Sequence, residues 1–527
     1  MESFSQFLFE KFKLFSNLTA IKINQSEITY SELHEKALRL ASAINTLKDN
    51  RNETVGIIGQ RNFSAYLGIL ATLYSGCSYT PINSKQSDEF IFTVIKESGI
   101  KLLICDYKDL EFISILLKKN ALFEQIRIII PETNIDHESN YIDKSFLEKY
   151  PSINKPEDIK MQDTVYVLYT SGTTGRPKGV QITQSNLLAW INNMQSIYNF
   201  DQPYNASQTY DLTFDPSVAD MFFTWANGGT LCVLPEEEKL MPSEYINREN
   251  ITLWSSVPTI ISFMNDMGAL KPNVFPNIER SLFCGEALTQ KLANTWQNAA
   301  PNSTIENLYG PTEATIFISR FIYRQEYKDK QFTNAIVPIG KPFNDHIFEL
   351  VDDQGKKIEN GGKGEIVYKG PQISKGYLND PEKTSSLFVR FKWDQSPDIW
   401  YRSGDIGVKN ENGDFEFLGR LDNQIKFGGR RVELGEIESN ILKSDTIDNI
   451  VVVPIRNNEN IIKTLVGFTT STLNDEEKVL IRNTFSNYMD MVFYPKRILT
   501  VKAYPQNTSG KIDRKQLIQI AIEEAKR

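Results

Sequence analysis

Histidine is nearly absent from this chain: His34, His137 and His346 are the only three in 527 residues. None sits in a Gly-rich or acidic cluster. That speaks against a Ser-His-Asp hydrolase and against a His-ligated metal, and each is expected to be structural or exposed. Cysteine is scarce as well. Cys77, Cys105, Cys232 and Cys284 stand singly. With no C-x-x-C pair, neither zinc nor a disulfide framework is indicated, and a reducing, cytoplasmic setting fits. Positive charge is in deficit: 58 Lys and Arg against 66 Asp and Glu leave a net charge of −8. A nucleic-acid partner is therefore not expected. No apolar run reaches the ~18 residues of a membrane span. The opening "MESFSQFLFEKFKLF" has no basic start and no small-residue cleavage site. Its Phe and Leu at near-helical spacing predict a packed first helix, not a signal peptide. Internal repeats and low-complexity tracts are missing too.

What is present reads as ordinary globular protein, 40% hydrophobic and 24% charged. The length exceeds one core, so several domains are expected. "ETVGIIG", "SAYLGILATLYSG" and "SYTPI" read as strand, helix and strand. The alternation continues through "KLLICD", "IRIII", "TVYVLYT", the helical "SNLLAWINNMQSI", "GTLCVLP" and "ITLWSSVP". From about residue 335 to 420, short segments punctuated by "DDQG", "ENGGKG" and "NENGD" predict a β-rich portion. From Asp422 onward, "IVVVPI" and "TLVGFTT" read as strands and "DEEKVLIRNTFSNYM" as a helix, a compact α+β unit. The fold class is thus α/β with α+β. The expected division is a large part over 1–421, made of βαβ subdomains and the β-rich portion, and a small part over 422–527.

The stretch "YTSGTTGRPKG", from Tyr169 to Gly179, is the sharpest local signal. Its Ser, Thr and Gly make a poor helix and a poor buried strand. They suit a loop that lets an anion approach the backbone. It is not a Walker loop. Counting from Gly172, that pattern needs Gly at the position of Pro177, which has no N–H to offer a phosphate. Ser171, Thr173 and Thr174 offer hydroxyls, and Lys178 a point charge.

This loop resembles the phosphate loop of the adenylate-forming superfamily, which includes acyl-CoA synthetases, luciferases and peptide-synthetase adenylation domains. "NLYGPTEAT", "GEIVYKGPQISKGYLNDPEKT", "YRSGDIG", "GRLDNQIKFGGRRVELGEIE" and "NTSGKIDRK" follow in family order, so the resemblance covers nearly the whole chain. It implies ATP and Mg²⁺ as cofactors and a role for each matching residue. Glu313 would hold Mg²⁺, Tyr309 would stack on adenine, and Asp405 and Arg420 would reach the ribose. Thr174 and Lys178 would grip the departing phosphates, with Thr170, Ser171, Gly172, Thr173, Gly285, Glu286, Asn307, Gly310 and Thr312 completing the nucleotide site. Lys511 would bridge the substrate carboxylate and the α-phosphate. Asp422 would be the hinge on which a mobile carboxy-terminal domain swings, alternately delivering Lys511 and "KFGGRR". Gly428 and Gly429, where many relatives have Arg-Gly, would leave an open path for a pantetheine arm. "GEIVYKGPQISKGYLND" is assigned two Gly-bounded strands and no chemistry.

The resemblance also places an acid pocket. In "YDLTFDPSVADMF", Phe214 and Asp215 match the aromatic and the Asp that binds a substrate α-ammonium in amino-acid-activating members. A carboxylate in a mostly apolar pocket is costly without a cation, which favours a zwitterionic substrate. "DPS" is also a good helix start, so Asp215 can be read as a capping residue. The remaining carried-over wall is Pro216, Ala219, Thr259, Leu282, Cys284, Leu308, Ile316 and Phe317, with no acid or base to meet a charged side chain. "LFCGEAL" and the chain length resemble D-alanine:carrier protein ligases. The chain ends soon after Lys511 with no Ser-bearing carrier motif, so the expectation is a free-standing enzyme that loads a small or medium apolar amino acid onto a separate phosphopantetheinylated carrier protein. Two other readings stay open at this point: an acyl-CoA ligase for a small carboxylic acid, and a nucleotide-binding scaffold without catalysis.

Overall fold

The computed structural model describes residues 3–120, 123, 125–135, 141–170, 177–200, 203–328, 330, 332–358, 361–422, 424–457, 461–506 and 512–525. Contacts divide the chain into two compact units. One comprises Met1–Ser84, Ile95–Tyr169 and Gly179–Leu421. The other comprises Lys85–Val94, Thr170–Lys178 and Asp422–Arg527. The chain thus changes unit between Leu421 and Asp422, and two short inner stretches group with the carboxy-terminal part.

Two large sheets dominate the first unit. A seven-stranded sheet runs in the order Tyr141–Ile142, Arg127–Ile129, Leu102–Cys105, Thr54–Ile58, Ser78–Ile82, Thr164–Thr170, Lys178–Thr183. Its central strand Thr54–Ile58 pairs in parallel on both sides. Parallel strands need crossover helices that cover both faces, so such strands read as continuous apolar runs. All five residues of Ser78–Ile82 are buried accordingly. So is every residue of the crossover helix Phe63–Tyr74 except the first, as expected of a helix that is hydrophobic all round. Asn62 caps its start by accepting from the Ala65 amide.

A nine-stranded sheet runs in the order Lys341–Pro342, Ser319–Tyr323, Thr304–Tyr309, Arg280–Phe283, Leu253–Ser256, Asn205–Gln208, Thr230–Val233, Thr19–Ile23, Ser26–Thr29. It is parallel in the middle and turns antiparallel at Thr304–Tyr309 with Ser319–Tyr323. A tight return replaces the crossover helix there, and that return holds Glu313. The β-rich portion is an antiparallel sheet built around Lys363–Lys369 and Trp400–Lys409, with Ile347–Val351, Phe388–Val389 and Phe415–Arg420 beside them. The expected second strand in "GEIVYKGPQISKGYLND" does not form. After Lys369 the chain loops irregularly to Asp380, because its polar groups are spent elsewhere, as described below.

The second unit carries the hairpin Gln424–Phe427/Arg430–Glu433 and the sheet Val451–Arg456, Ile462–Thr469, Arg497–Thr500. Helices Leu434–Leu442, Asp475–Ser486 and Arg514–Glu524 accompany them. The first helix forms over Phe4–Leu14, with Phe4, Leu8 and Phe12 on its buried stripe. His34 is buried with Nδ1 2.9 Å from the Tyr74 hydroxyl, and burial pushes its pKa down to about 4. His346 holds the Asn344 carbonyl through Nδ1 at 2.8 Å; His137 lies outside the described residues. Among the described residues no helix is long and apolar enough to cross a membrane, and the four cysteines are buried and in no disulfide.

Candidate functional site

The strand Thr304–Tyr309 and the return after it carry the centre of the site. Leu308 and Tyr309 point to opposite faces because strand side chains alternate. Leu308, like Ala219, Leu282, Cys284, Ile316 and Phe317 of the expected wall, belongs to the large apolar core that also takes in the first helix. Tyr309 joins another with Phe348 and Tyr368. Its hydroxyl donates to Asp405 Oδ2 at 2.5 Å. Burial, with the Asp405 carboxylate beside it, holds that hydroxyl protonated far above the ordinary phenol range. The other Asp405 oxygen accepts from Arg420 Nη1 at 2.5 Å. Asp405 and Arg420 are register partners on adjacent antiparallel strands, so the sheet itself sets the pair. A carboxylate has about four lone-pair sites, so Asp405 keeps capacity for further donors.

Beyond Tyr309 the chain turns sharply at Gly310. A Cβ there would meet the Ile316 carbonyl oxygen at 2.3 Å, so glycine is required by the backbone folding back on itself. Thr312–Ala314 form a single 3₁₀ turn and Glu313 is buried within it. The Glu313 carboxylate accepts from Tyr377 Oη at 2.6 Å, and its backbone carbonyl accepts from the Ser374 amide at 2.8 Å. Thr315 and Ile316 then take φ of 55° and 72°, a left-handed pair that β-branched residues rarely adopt.

One amide braces this conformation. Gln372 is fully buried, and its Nε2 donates to the carbonyls of Phe317 at 2.8 Å, Thr315 at 3.2 Å and Ala314 at 3.3 Å. Its Oε1 accepts from Asn193, and its own carbonyl accepts from the Thr315 hydroxyl at 2.6 Å. Gln372, Ser374 and Tyr377 all come from the segment to which the sequence reading gave no chemistry. The signal was there: Gln, Ser and Tyr in a loop are partners for backbone and carboxylate, but pattern alone does not say whose.

The other expected residues fall as follows. Gly285 and Glu286 follow the strand Arg280–Phe283, and Glu286 Oε2 accepts from the Thr259 amide at 3.1 Å and the Thr259 hydroxyl at 2.5 Å. Asn307 is buried, and its Nδ2 donates to the carbonyls of Val337 and Pro338, so that amide fixes a neighbouring loop. Thr170 ends one strand of the seven-stranded sheet and Lys178 begins the next. Ser171, Gly172, Thr173, Thr174 and Lys511 lie outside the described residues. Asp422 Oδ1 accepts from the Gln424 amide at 3.2 Å. Gly428 and Gly429 form the hairpin turn, with φ of 60° and 77°.

Phe214 is the cap position and Asp215 the first residue of the helix Asp215–Ala226, with Pro216 beside it; Phe214 makes no side-chain cap bond. The Asp215 charge acts on the buried Tyr166, whose hydroxyl is pushed up by burial first and by Asp215 second. On the same helix, one residue past Ala219, stands an acid the sequence reading overlooked. Asp220 is buried, and its Oδ2 has no hydrogen-bond partner among the described residues. Burial holds its carboxyl well above the usual range. It shares a small cavity, about 10 Å³, with Ala219, Ser255, Leu282 and Phe317, which is room for one water. The wall is therefore apolar in front and polar behind.

The chain has counterparts among known proteins. The family model described as AMP-binding enzyme matches residues 8–378. The D-alanine--D-alanyl carrier protein ligase of Listeria innocua is 31% identical over 504 residues, covering 93% of this chain and 94% of its own. Zwittermicin A synthase ZmaJ of Bacillus cereus is 30% identical, with 94% and 91% covered. The crystal structure of the Vibrio cholerae adenylation domain AlmE in complex with glycyl-adenosine-5'-phosphate superposes with a TM-score of 0.87 at 29% identity, over 98% of this chain and 97% of that one. By the family match and by these relatives, this chain belongs to the AMP-binding enzymes.

Proposed function

We propose that this chain activates a small or medium apolar amino acid with ATP and then loads it onto the phosphopantetheine thiol of a separate carrier protein. In the first step a substrate carboxylate oxygen attacks the α-phosphorus, the bond to the β-phosphate oxygen breaks, and pyrophosphate leaves. In the second a thiol sulfur attacks the acyl carbon, AMP leaves, and the thiol proton goes to solvent. The observation that carries the reading is a spacing in one strand and its return. Leu308, Tyr309, Glu313, Ile316 and Phe317 put the side chains proposed for the acid wall and the nucleotide, and a buried carboxylate, within ten residues. An aminoacyl adenylate needs those three things side by side.

Within that reading, Asp405 and Arg420 receive the ribose, and Lys178 with the loop before it meets the phosphates. Lys511 neutralises charge gathering at the α-phosphate. Among the described residues no three His, Cys, Asp or Glu gather to cage a metal. A single buried carboxylate suits Mg²⁺, which keeps waters and phosphate oxygens as its remaining ligands, so Glu313 would hold it and the ion would supply positive charge to the phosphates. Asp215 meets the α-ammonium. An acyl-CoA ligase would have no use for Asp215, which favours the amino acid. The relatives agree in kind, since one acts as a carrier protein ligase by name and another holds a glycyl adenylate.

The test is ATP–pyrophosphate exchange across the twenty amino acids, D-alanine, propionate and isovalerate. Alanine of either hand, proline or valine should lead. Near neighbours should follow, because a methylene is worth only ~1–3 kcal/mol. Asp215→Ala should remove about 2–5 kcal/mol of preference for amino over des-amino acids. Strong activation of lysine, glutamate or a des-amino acid would sink the reading.

A further inference from the structure

The hairpin Gln424–Phe427/Arg430–Glu433 ends in a turn of two glycines. Neither has a side chain with which to hold the turn, and a Cβ at Gly428 would meet nothing within 4 Å. Left-handed φ at both positions gives the tight turn that matches strand twist. The tip thus carries no side chains of its own, and the stem beside it is tied by the contacts that follow.

The last cross-strand pair before the turn is Phe427 opposite Arg430, and both reach the same ring. Phe493 is buried. The Arg430 guanidinium carbon lies 4.7 Å from its centroid, within cation–π range. The Phe427 ring lies 6.4 Å away at 54°. Arg430 Nη1 also donates to Asp490 Oδ2 at 2.6 Å. The other Asp490 oxygen accepts from the Val492 amide at 3.0 Å, capping the 3₁₀ turn Met491–Phe493 that presents the ring. One carboxylate thus fixes both the arginine and the ring on which the arginine rests. Further along, Gln424 Nε2 donates to Glu433 at 2.7 Å while its Oε1 accepts from Arg431, tying the base of the stem.

We infer that Asp490, Arg430 and Phe493 are positioning residues for the second half-reaction: they clamp the glycine turn so that it presents a fixed edge to the pantetheine arm. This rests on the proposed function, in which that turn lines the thiol path. Asp490 lies sixty residues away in sequence from the arginine it holds.

The experiment uses the full chain and pantetheine itself as thiol. The amino acid is whichever gives the fastest pyrophosphate exchange. Asp490→Asn keeps an oxygen for the Val492 amide, since Asn caps as well as Asp, but loses the charge. It should keep exchange within twofold, raise the KM for pantetheine and lower transfer about tenfold. Arg430→Ala should match it, and the double variant should be no worse than either single, because one interaction is removed only once. Arg430→Lys, which keeps the charge without the planar fork, should recover part of the loss. Transfer at the wild-type rate in both single variants would overturn the clamp. So would equal loss of exchange and transfer. A wild-type chain that exchanges pyrophosphate but never transfers to pantetheine or to a carrier would instead overturn the reading of the turn as a thiol path, and the clamp with it. No exchange with any amino acid would overturn the proposed function at its root.

Discussion

Two Arg–Asp pairs in this protein have almost the same length and different work. Arg420–Asp405 measures 2.5 Å, with side chains 14% and 10% exposed. Arg430–Asp490 measures 2.6 Å, with side chains 25% and 23% exposed. The first joins register partners on neighbouring strands, so the sheet would hold both residues even without their charges. The second joins a hairpin to a turn from a distant segment, adding a charged tie to the apolar packing that Ile425, Val432 and Phe493 share. A pair made by the sheet suits a binding surface that must be ready before the ligand arrives. A pair made between segments far apart in sequence suits a part, such as a hairpin tip, that the ladder alone leaves unanchored.

The sharpest way to break this contrast is at Lys511. If the carboxy-terminal part serves the two half-reactions in turn, Lys511→Ala should cut adenylate formation by ~10²-fold or more, the usual loss for a preorganised charge. Transfer from a supplied adenylate should persist. Equal loss of both steps, measured by exchange and by single-turnover transfer, would erase the distinction between the two parts.

A smaller effect is expected at Gln372. Gln372→Ala leaves buried carbonyls of Ala314, Thr315 and Phe317 without their donor, at about 1–3 kcal/mol. It also releases a left-handed backbone next to Glu313. Urea unfolding should shift by that amount, and exchange should fall while the ranking of amino acids blurs. An unchanged ranking with unchanged stability would mean the return holds its shape unaided.

An effect of similar size, confined to one pH range, lies in the second unit. Glu436 is buried, its Oε2 has no hydrogen-bond partner among the described residues, and burial first, then Glu433, pushes its pKa from 4.5 up to about 7. Between those two values the folded chain holds a proton that the unfolded chain has lost. Its contribution therefore favours the folded state at acid pH and is lost as pH rises through that window. Glu436→Gln should stabilise the chain at pH 8 by about 1–3 kcal/mol and make little difference at pH 4. A destabilised variant at pH 8 would assign the carboxylate a partner that matters.

Much of the fold was legible because the strands are short, apolar and regularly interrupted. "TVYVLYT" is a strand over its full length, Thr164–Thr170. "SNLLAWINNMQSI" is the helix Gln184–Ile197, one residue longer at its start, with Thr183 and Asn186 forming a capping box. Of the expected wall, Ala219, Leu282 and Phe317 line one small cavity. What pattern could not supply was partnership across the chain. Tyr377 is sixty-four residues from the carboxylate it serves. Gln372 looks like any loop glutamine until the return it braces is folded. Asp220 sits beside Ala219 in "SVADMF", yet only the packing of the helix against Ser255 and Leu282 makes it the back of the wall. Asn307 Nδ2 likewise donates to the carbonyls of Val337 and Pro338, thirty residues on.

The grip of Gln372 on the return after Glu313 has a consequence for how such a protein changes over generations. Its three bonds are to main-chain oxygens, so they are indifferent to which side chains Ile316 and Phe317 carry. Under the proposed function, selection can re-line the acid pocket at those two positions while the path of the chain, and with it the carboxylate three residues upstream of Ile316, stays where it was. Taste and chemistry are thereby mounted on one return yet free to drift apart, and an engineer seeking a new substrate would begin at Ile316 and Phe317 and leave Gln372 alone.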